Sequence, residues 1–381
     1  METLKIEQNK EGKNNIIDDK RIRDSNNNNN MDISQDEIFD VAIIGGGFAG
    51  LSAALLLGRY LRSTIIFDVG IHRKSYIHGY LGYEKTSSAE LIQKAWKDVL
   101  QYKSVKVVKE KVIGIERDHN NDLFLINTEG NDNKKKKEGK MINQESTDKE
   151  NMKAKAKYVI IATGVEHTKP NIKNFEEYYG DGIWHCPHCD GFETTDKKLV
   201  IIAHGNKYKE ALDYAKVFLG WTKDIKLFLK REVDNYNNEL DYHLTDDEIN
   251  EAKTLGIDLV ENDEIIEIVG GSPRNSIKSV ICESNKCYDA EVLFYHLNQT
   301  VRNQLAYQLG CELDERYIKV NENQETSIKN VYAAGDADTD RHYAILASAS
   351  GALAAISIYE KLLKGAIKSI KINNDQNNQR K

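Results

Sequence analysis

The stretch "VAIIGGGFAGLSAALLLG", residues 41 to 58, constrains the fold more than any other part of the chain. Four apolar residues run into Gly45, Gly47 and Gly50, and an alanine- and leucine-rich segment follows. An apolar run that stops at glycine reads as a buried parallel strand, and the segment after it as a helix from about Ala49 to Tyr60. The G-x-G-x-x-G spacing at such a junction has a physical logic. Gly45 permits a tight turn, Gly47 lets a pyrophosphate approach the backbone, and Gly50 lets the helix lie close on the sheet. The helix N-terminus then offers free N–H groups to phosphate oxygens. A second strand, "STIIFD", ends at Asp68, where a carboxylate takes ribose hydroxyls. The run is also long enough to suggest a membrane span, but its glycine cluster and strand-like start argue for strand–turn–helix.

The same pattern begins again near residue 168. "KLVIIAHG" reads as a strand, "KYKEALDYAKVFLG" as a helix and "DIKLFLK" as a strand, a second β-α-β unit. Between the units, residues 88 to 102 carry apolar positions at helical spacing with Ser88 as the expected cap. "KVVKEKVIGIERD" and "LFLINT" alternate like antiparallel strands, and "KYVIIATG" is another buried strand ending in glycine. "DEIIEIVG", "SIKSVICES" and "AEVLFYHL" also read as antiparallel. "NVYAAGDAD" is a strand entering an acidic turn, and "RHYAILASASGALAAISIYEKLL" is the last helix. The fold class is α/β with two Rossmann-like dinucleotide-binding domains. The first comprises 38–167 and 297–366, and the second, 168–296, is inserted into it. An asparagine-rich arm (1–37), a lysine-rich insertion (129–155) and a polar tail (367–381) are expected to lie outside the cores.

At 381 residues the chain can build two cores, and a net charge of −7 does not suit a nucleic-acid binder. The N-terminus mixes acids with bases and has no apolar core of a signal peptide. The five cysteines, Cys186, Cys189, Cys282, Cys287 and Cys311, are an odd and sparse set. That points to a reducing, cytoplasmic setting, where a CxxC is metal-binding or catalytic rather than structural. The CxxC lies in "GIWHCPHCDGFE". Zinc would need a second ligand pair. Cys282 and Cys287 are spaced loosely for that, and His185 and His188 join the same tetrahedron only with distortion, so no metal is expected. As a redox pair the motif is favourable. Pro187 suits the first turn of a helix, which places Cys186 at a helix N-terminus where a thiolate is stabilised.

"GGGFAG", "HGYLG", "IIATG", "CPHCDG" and "VYAAGD" follow one another in this order. From about Phe39 to Leu363 the chain resembles the low-molecular-weight thioredoxin reductase family, closest to its thioredoxin-reductase-like dithiol oxidases and reductases. The resemblance implies an FAD domain of three-layer ββα form, an inserted NAD(P)H-type domain, and a homodimer. FAD would be held by Gly45, Gly47, Gly50 and Asp68. Gly335 and Asp336 would sit at its ribitol chain, and the helix after Arg341 would point at the flavin's pyrimidine edge. His78 would line the flavin region. Electrons would pass from NADPH through FAD to the Cys186–Cys189 disulfide, then to a thioredoxin-like protein or a small-molecule disulfide. Cys189 would face the flavin, Cys186 would be the interchange thiol, and Asp190 the proton donor, held protonated by burial beside groups such as Phe192. His185 and His188 are further proton-donor candidates.

The second domain departs from the family's pattern. Of its glycine-rich turn only Gly205 is present, and Ala203 and His204 stand where glycine is expected. Lys230 and Arg231 are placed to meet a 2′-phosphate, but Asn235 stands where a further arginine is sought. Relatives with eroded nicotinamide motifs take electrons from ferredoxin or deliver them to O2 as dithiol oxidases. A non-catalytic metal or interaction module is the third reading, motivated by the His–Cys cluster and the lysine insertion.

Overall fold

The computed structural model describes residues 37–70, 75–129, 152–230, 232–233, 239–240, 244–272 and 276–379. The asparagine-rich arm up to residue 36, most of the lysine-rich insertion, Arg231 and Asn235 lie outside the described residues.

Strand β1 (Ile38–Ile44) is the centre of the first sheet. Helix α1 (Phe48–Arg59) follows it, and β2 (Thr64–Phe67) pairs parallel beside it. Helix α2 (Ser88–Leu100) then leads to β3 (Val105–Val108), parallel to β2. These strands are covered on both faces, which explains their nearly continuous apolar runs. Strand β4 (Val112–Asp118) and β5 (Leu123–Thr128) form an antiparallel pair. The ten-residue β6 (Met152–Ile161) changes partner along its length. Its first half runs antiparallel to β5 through Phe124 and Ala156, and its second half pairs parallel with Val331–Ala333 through Val159 and Val331. Its other edge pairs parallel with β1 throughout. One strand therefore joins the parallel sheet to the antiparallel layer above it.

The second sheet is parallel throughout. Its order is β7 (Ile183–Trp184), β11 (Val292–His296), β8 (Leu199–His204), β9 (Ile225–Lys230) and β10 (Ile257–Glu261). Helix α4 (Tyr208–Lys216) packs Ala211, Leu212 and Ala215 on one face of it. The chain passes between the two sheets twice, and the crossings lie side by side as an antiparallel ribbon of Val165–His167 with Gln299–Val301.

Several elements differ from the sequence reading. Ser88 is the first helical residue rather than the cap, and Ser87 precedes it without a side-chain cap bond. β3 joins the sheet in parallel at one end, whereas β4, next in the chain, lies antiparallel at the other end. "AEVLFYHL" supplies the parallel β11, not an antiparallel strand, and four of its five residues are buried. The lysine-rich insertion ends at β6, which already begins at Met152. Helix α5 runs from Ala344 to Gln379, through the segment expected to fray.

Candidate active site

The turn between β1 and α1 is built from backbone that nearly touches other backbone. Gly45 has φ +113, and a side chain there would meet the Ala162 carbonyl oxygen at 2.2 Å. A Cβ on Gly50 would lie 1.9 Å from the Gly45 carbonyl oxygen, so this glycine lets the helix close on its own turn. Gly47 has nothing within 4 Å of its Cβ position and opens onto a cavity. α1 starts there with no side-chain cap bond and no acid in its first turn, leaving its N–H groups for an anion. Gly46, which the motif passes over, is also required. Its N–H donates to Asp68 Oδ1 at 3.1 Å, and a side chain would strike Asp68 and Trp96.

The cavity measures about 1040 Å³, at the upper end for small-molecule sites. Its wall brings together Gly45, Gly47, Asp68, His78, Cys186, Cys189, Asp190, Gly335 and Asp336. Gly50 stands behind the turn. Gly335 has φ +77, and its N–H donates to Ser350 Oγ at 2.9 Å, a contact with α5 that sequence spacing does not reveal. Tyr343, Ala344 and Ala347, at the start of α5, line the same space, and the first turn of α5 holds no acid. A backbone cradle for phosphates, an acid at the second strand and two helix N-termini around one long cavity fit an adenine dinucleotide of FAD type.

Cys186 and Cys189 form a disulfide with Cα atoms 5.3 Å apart. Cys186 is the N-cap of the four-residue helix α3 (Pro187–Asp190), Pro187 occupies the first turn as expected, and the Cys189 N–H donates to Cys186 Sγ at 3.2 Å. Asp190 is 6% exposed. Phe192, expected to bury it, points to solvent at 74% exposure. The contacts come from elsewhere: His78 Nε2 lies 3.9 Å from Asp190 Oδ1 and 4.0 Å from Glu193 Oε1. His78 Nδ1 is 2.6 Å from Glu84 Oε1, and the Gly79 N–H donates to Glu84 Oε2 at 2.8 Å. The His78 ring and this N–H hold Glu84 below the usual carboxylate range. His188 is exposed. The His185 ring lies 4.1 Å from that of His167, tilted by 41°. Among the described residues no group of three or more His, Cys, Asp or Glu is arranged to hold a metal ion.

Gly205 and Lys230 lie apart from this cavity, at the carboxyl ends of β8 and β9. Gly205–Lys207 is a single 3-10 turn rather than an open glycine loop. His296, at the end of β11, stacks on Tyr214 at 4.5 Å, and burial lowers its pKa. Lys230 Nζ donates to Glu264 at 3.1 Å, so its charge is already partnered. Of the remaining cysteines, Cys282 and Cys311 are buried in the cores and Cys287 is exposed.

Thioredoxin reductase sirT of Leptosphaeria maculans is 27% identical over 333 residues, covering 84% of this chain and 93% of its own. The thioredoxin reductase of Bacillus subtilis (strain 168) is 26% identical over 356 residues, 89% of this chain and 100% of its own. The solved structure of Bacillus anthracis TrxB is 27% identical and superposes with a TM-score of 0.69, covering 86% of this chain and 99% of that one. A family model described as pyridine nucleotide-disulphide oxidoreductase matches residues 39–355. That match takes in the glycine cradle, the cysteine pair and the start of α5, and the chain belongs to the pyridine nucleotide-disulphide oxidoreductase family.

Proposed function

We propose that this protein is an FAD-dependent thiol–disulfide oxidoreductase of thioredoxin reductase type that takes electrons from NADPH and reduces a thioredoxin-like protein or a small-molecule disulfide. The observation that carries it is the Cys186–Cys189 disulfide facing the same cavity as the glycine cradle. The relatives named above favour this reading over a ferredoxin-fed enzyme or an oxidase delivering electrons to O2. Gly45, Gly47, Gly50 and Asp68 would hold the adenine half of FAD, and Gly335 and Asp336 its ribitol chain, with His78 beside the flavin. Bound FAD supplies two-electron transfer between a hydride donor and the disulfide.

The chain's own residues set up the thiol chemistry. Cys186 Sγ accepts the Cys189 N–H at the start of α3, an arrangement that favours its thiolate once the pair is reduced. Cys186 would then be the interchange nucleophile, with Cys189 as the thiol turned toward the flavin. Asp190, adjacent and buried, gives a proton to the departing thiolate. Gly205, Lys230 and Arg231 mark the NADPH side, in a domain spanning 168–296, with 38–167 and 297–366 forming the FAD domain. A homodimer in the cytoplasm completes the reading. The run of exposed Leu353, Ile356, Leu363 and Ile367 on α5 supports the dimer, and the sparse cysteines support the compartment.

The test is anaerobic mixing of holoprotein with NADPH while flavin absorbance is followed, then addition of a disulfide. Bleaching followed by recovery is expected. Cys186→Ser should keep the bleaching and lose at least about a hundred-fold in disulfide reduction. Absence of bleaching sinks NADPH as donor, and undiminished turnover by Cys186→Ser sinks the role of the pair.

A further inference from the structure

Reducing the Cys186–Cys189 disulfide to a dithiol takes two electrons and two protons. A reduced pyridine nucleotide delivers both electrons and one proton as hydride, so the other proton comes from water. Asp190, the acid beside the pair, is 6% exposed, which leaves it little contact with bulk solvent. A loop of the other sheet brings a titratable side chain to it: His78, whose Nε2 lies 3.9 Å from Asp190 Oδ1. The opposite ring nitrogen, Nδ1, is 2.6 Å from Glu84, whose side chain is 64% exposed. His78 itself is 13% exposed. The three side chains run from the buried acid to the surface, and an imidazole can take a proton on one nitrogen while releasing it from the other.

We propose that His78 is a positioning residue for proton delivery, carrying the proton between the exposed Glu84 and the buried Asp190 beside the cysteine pair. This rests on the reading of Asp190 as the acid. Asp190 protonates the departing thiolate and becomes a carboxylate. When protonated on both nitrogens beside the Glu84 carboxylate, His78 returns a proton to Asp190 from Nε2, and the neutral ring, still donating Nδ1–H to Glu84, then regains a proton from water on the Glu84 side. The 3.9 Å gap is closed by a small ring reorientation or one bridging water. Among the described residues, the charged groups facing His78 are Glu84, Asp190 and Glu193, with Lys85 beside Glu84. Glu193, at 4.0 Å from Nε2, gives the ring a second acceptor on the Asp190 side.

The experiment compares holoprotein of wild type, His78→Gln, Glu84→Gln and Asp190→Asn with NADPH and 5,5′-dithiobis(2-nitrobenzoate), from about pH 5.5 to 8.5. His78→Gln should lower kcat by about ten-fold or more with little change in KM for the disulfide. Added imidazole should restore the rate, and the solvent deuterium isotope effect on kcat should grow. Glu84→Gln should lose less, roughly two- to five-fold, because water can stand in for it. Asp190→Asn should be slow and insensitive to imidazole. FAD content and melting temperature check that each variant folds. A second arm follows reduction of the disulfide by dithiothreitol, read by alkylation of the released thiols, and should give the same ranking. His78→Gln at the wild-type rate, or a loss that imidazole and heavy water leave unmoved, overturns the relay. Asp190→Asn at the wild-type rate overturns the assignment of the acid instead. If NADPH supports no turnover, the donor reading fails and the dithiothreitol arm still decides the role of His78.

Discussion

Asp338 lies two residues past Asp336, in the turn that follows the Val331–Ala333 strand. Burial pushes its carboxyl up to about 7, against the opposing hydrogen bond from Gln324 and with help from the Asp336 charge. A folded-state pKa above the unfolded value of about 3.9 means the native state binds the proton more tightly. The resulting stability is fully present below that unfolded value and is lost as pH rises through about 7. The swing is on the order of 4 kcal/mol at most. Asp338→Asn keeps an acceptor for Gln324 and should flatten the melting temperature between about pH 5 and 8, measured on holoprotein. A slope equal to that of wild type would place the titration elsewhere. At this scale the sequence was legible where chemistry is local. The Gly45–Gly47–Gly50 turn and the Cys186–Pro187–Cys189 cap need only neighbours a few residues apart. Glu84 beside His78, Gln324 beside Asp338 and Glu264 on Lys230 were not legible, because each pair is set by tertiary packing. Phe192 shows the converse error, an apolar residue next to a buried acid in the chain yet turned to solvent.

Among the elements, the tightest approach is between α1 and α5. A Cβ on Gly351 would lie 2.0 Å from the Ala49 carbonyl oxygen, so the two helices meet backbone to backbone. Ala53, Ala54, Ala354 and Ala355 extend this small-residue contact within one core. Gly351→Val should force the helices apart and cost about 1–3 kcal/mol, with faster loss of FAD because both helices line its cavity. Thermal unfolding and the rise of free-flavin fluorescence measure the two effects. Unchanged flavin retention would mean the helices relax without moving the cradle. Apolar runs located the strands well, and their direction less well. β11 reads "VLFYH", a continuous apolar run that suits a strand covered on both faces inside the sheet, and only the surrounding alternation suggested otherwise. The length of α5 was hidden by the polar composition of its end, where lysines and asparagines form no apolar stripe that marks a boundary.

For the molecule as a whole, residues of both Rossmann-like units line the cavity that meets the cysteines, while Gly205 and Lys230 lie at the carboxyl ends of two inner strands of the second unit. Glu264 neutralises Lys230, so Glu264→Gln should free that cation for a 2′-phosphate. KM for NADPH should fall a few-fold while KM for NADH changes little, which steady-state kinetics with both donors will show. Equal effects on the two donors would put Lys230 outside the 2′-phosphate site. The contact between Ala49 and Gly351 has one more consequence, for the order of biosynthesis. Helix α1 finds its backbone partner only about 300 residues later, so this contact must wait until α5 has been made. The inserted unit, whose strands all fall between 183 and 296, can close its own sheet while still tethered to the ribosome. The cofactor cavity is then completed after the inserted domain, and a nascent chain stopped before α5 would carry a finished inner domain and no place for a flavin.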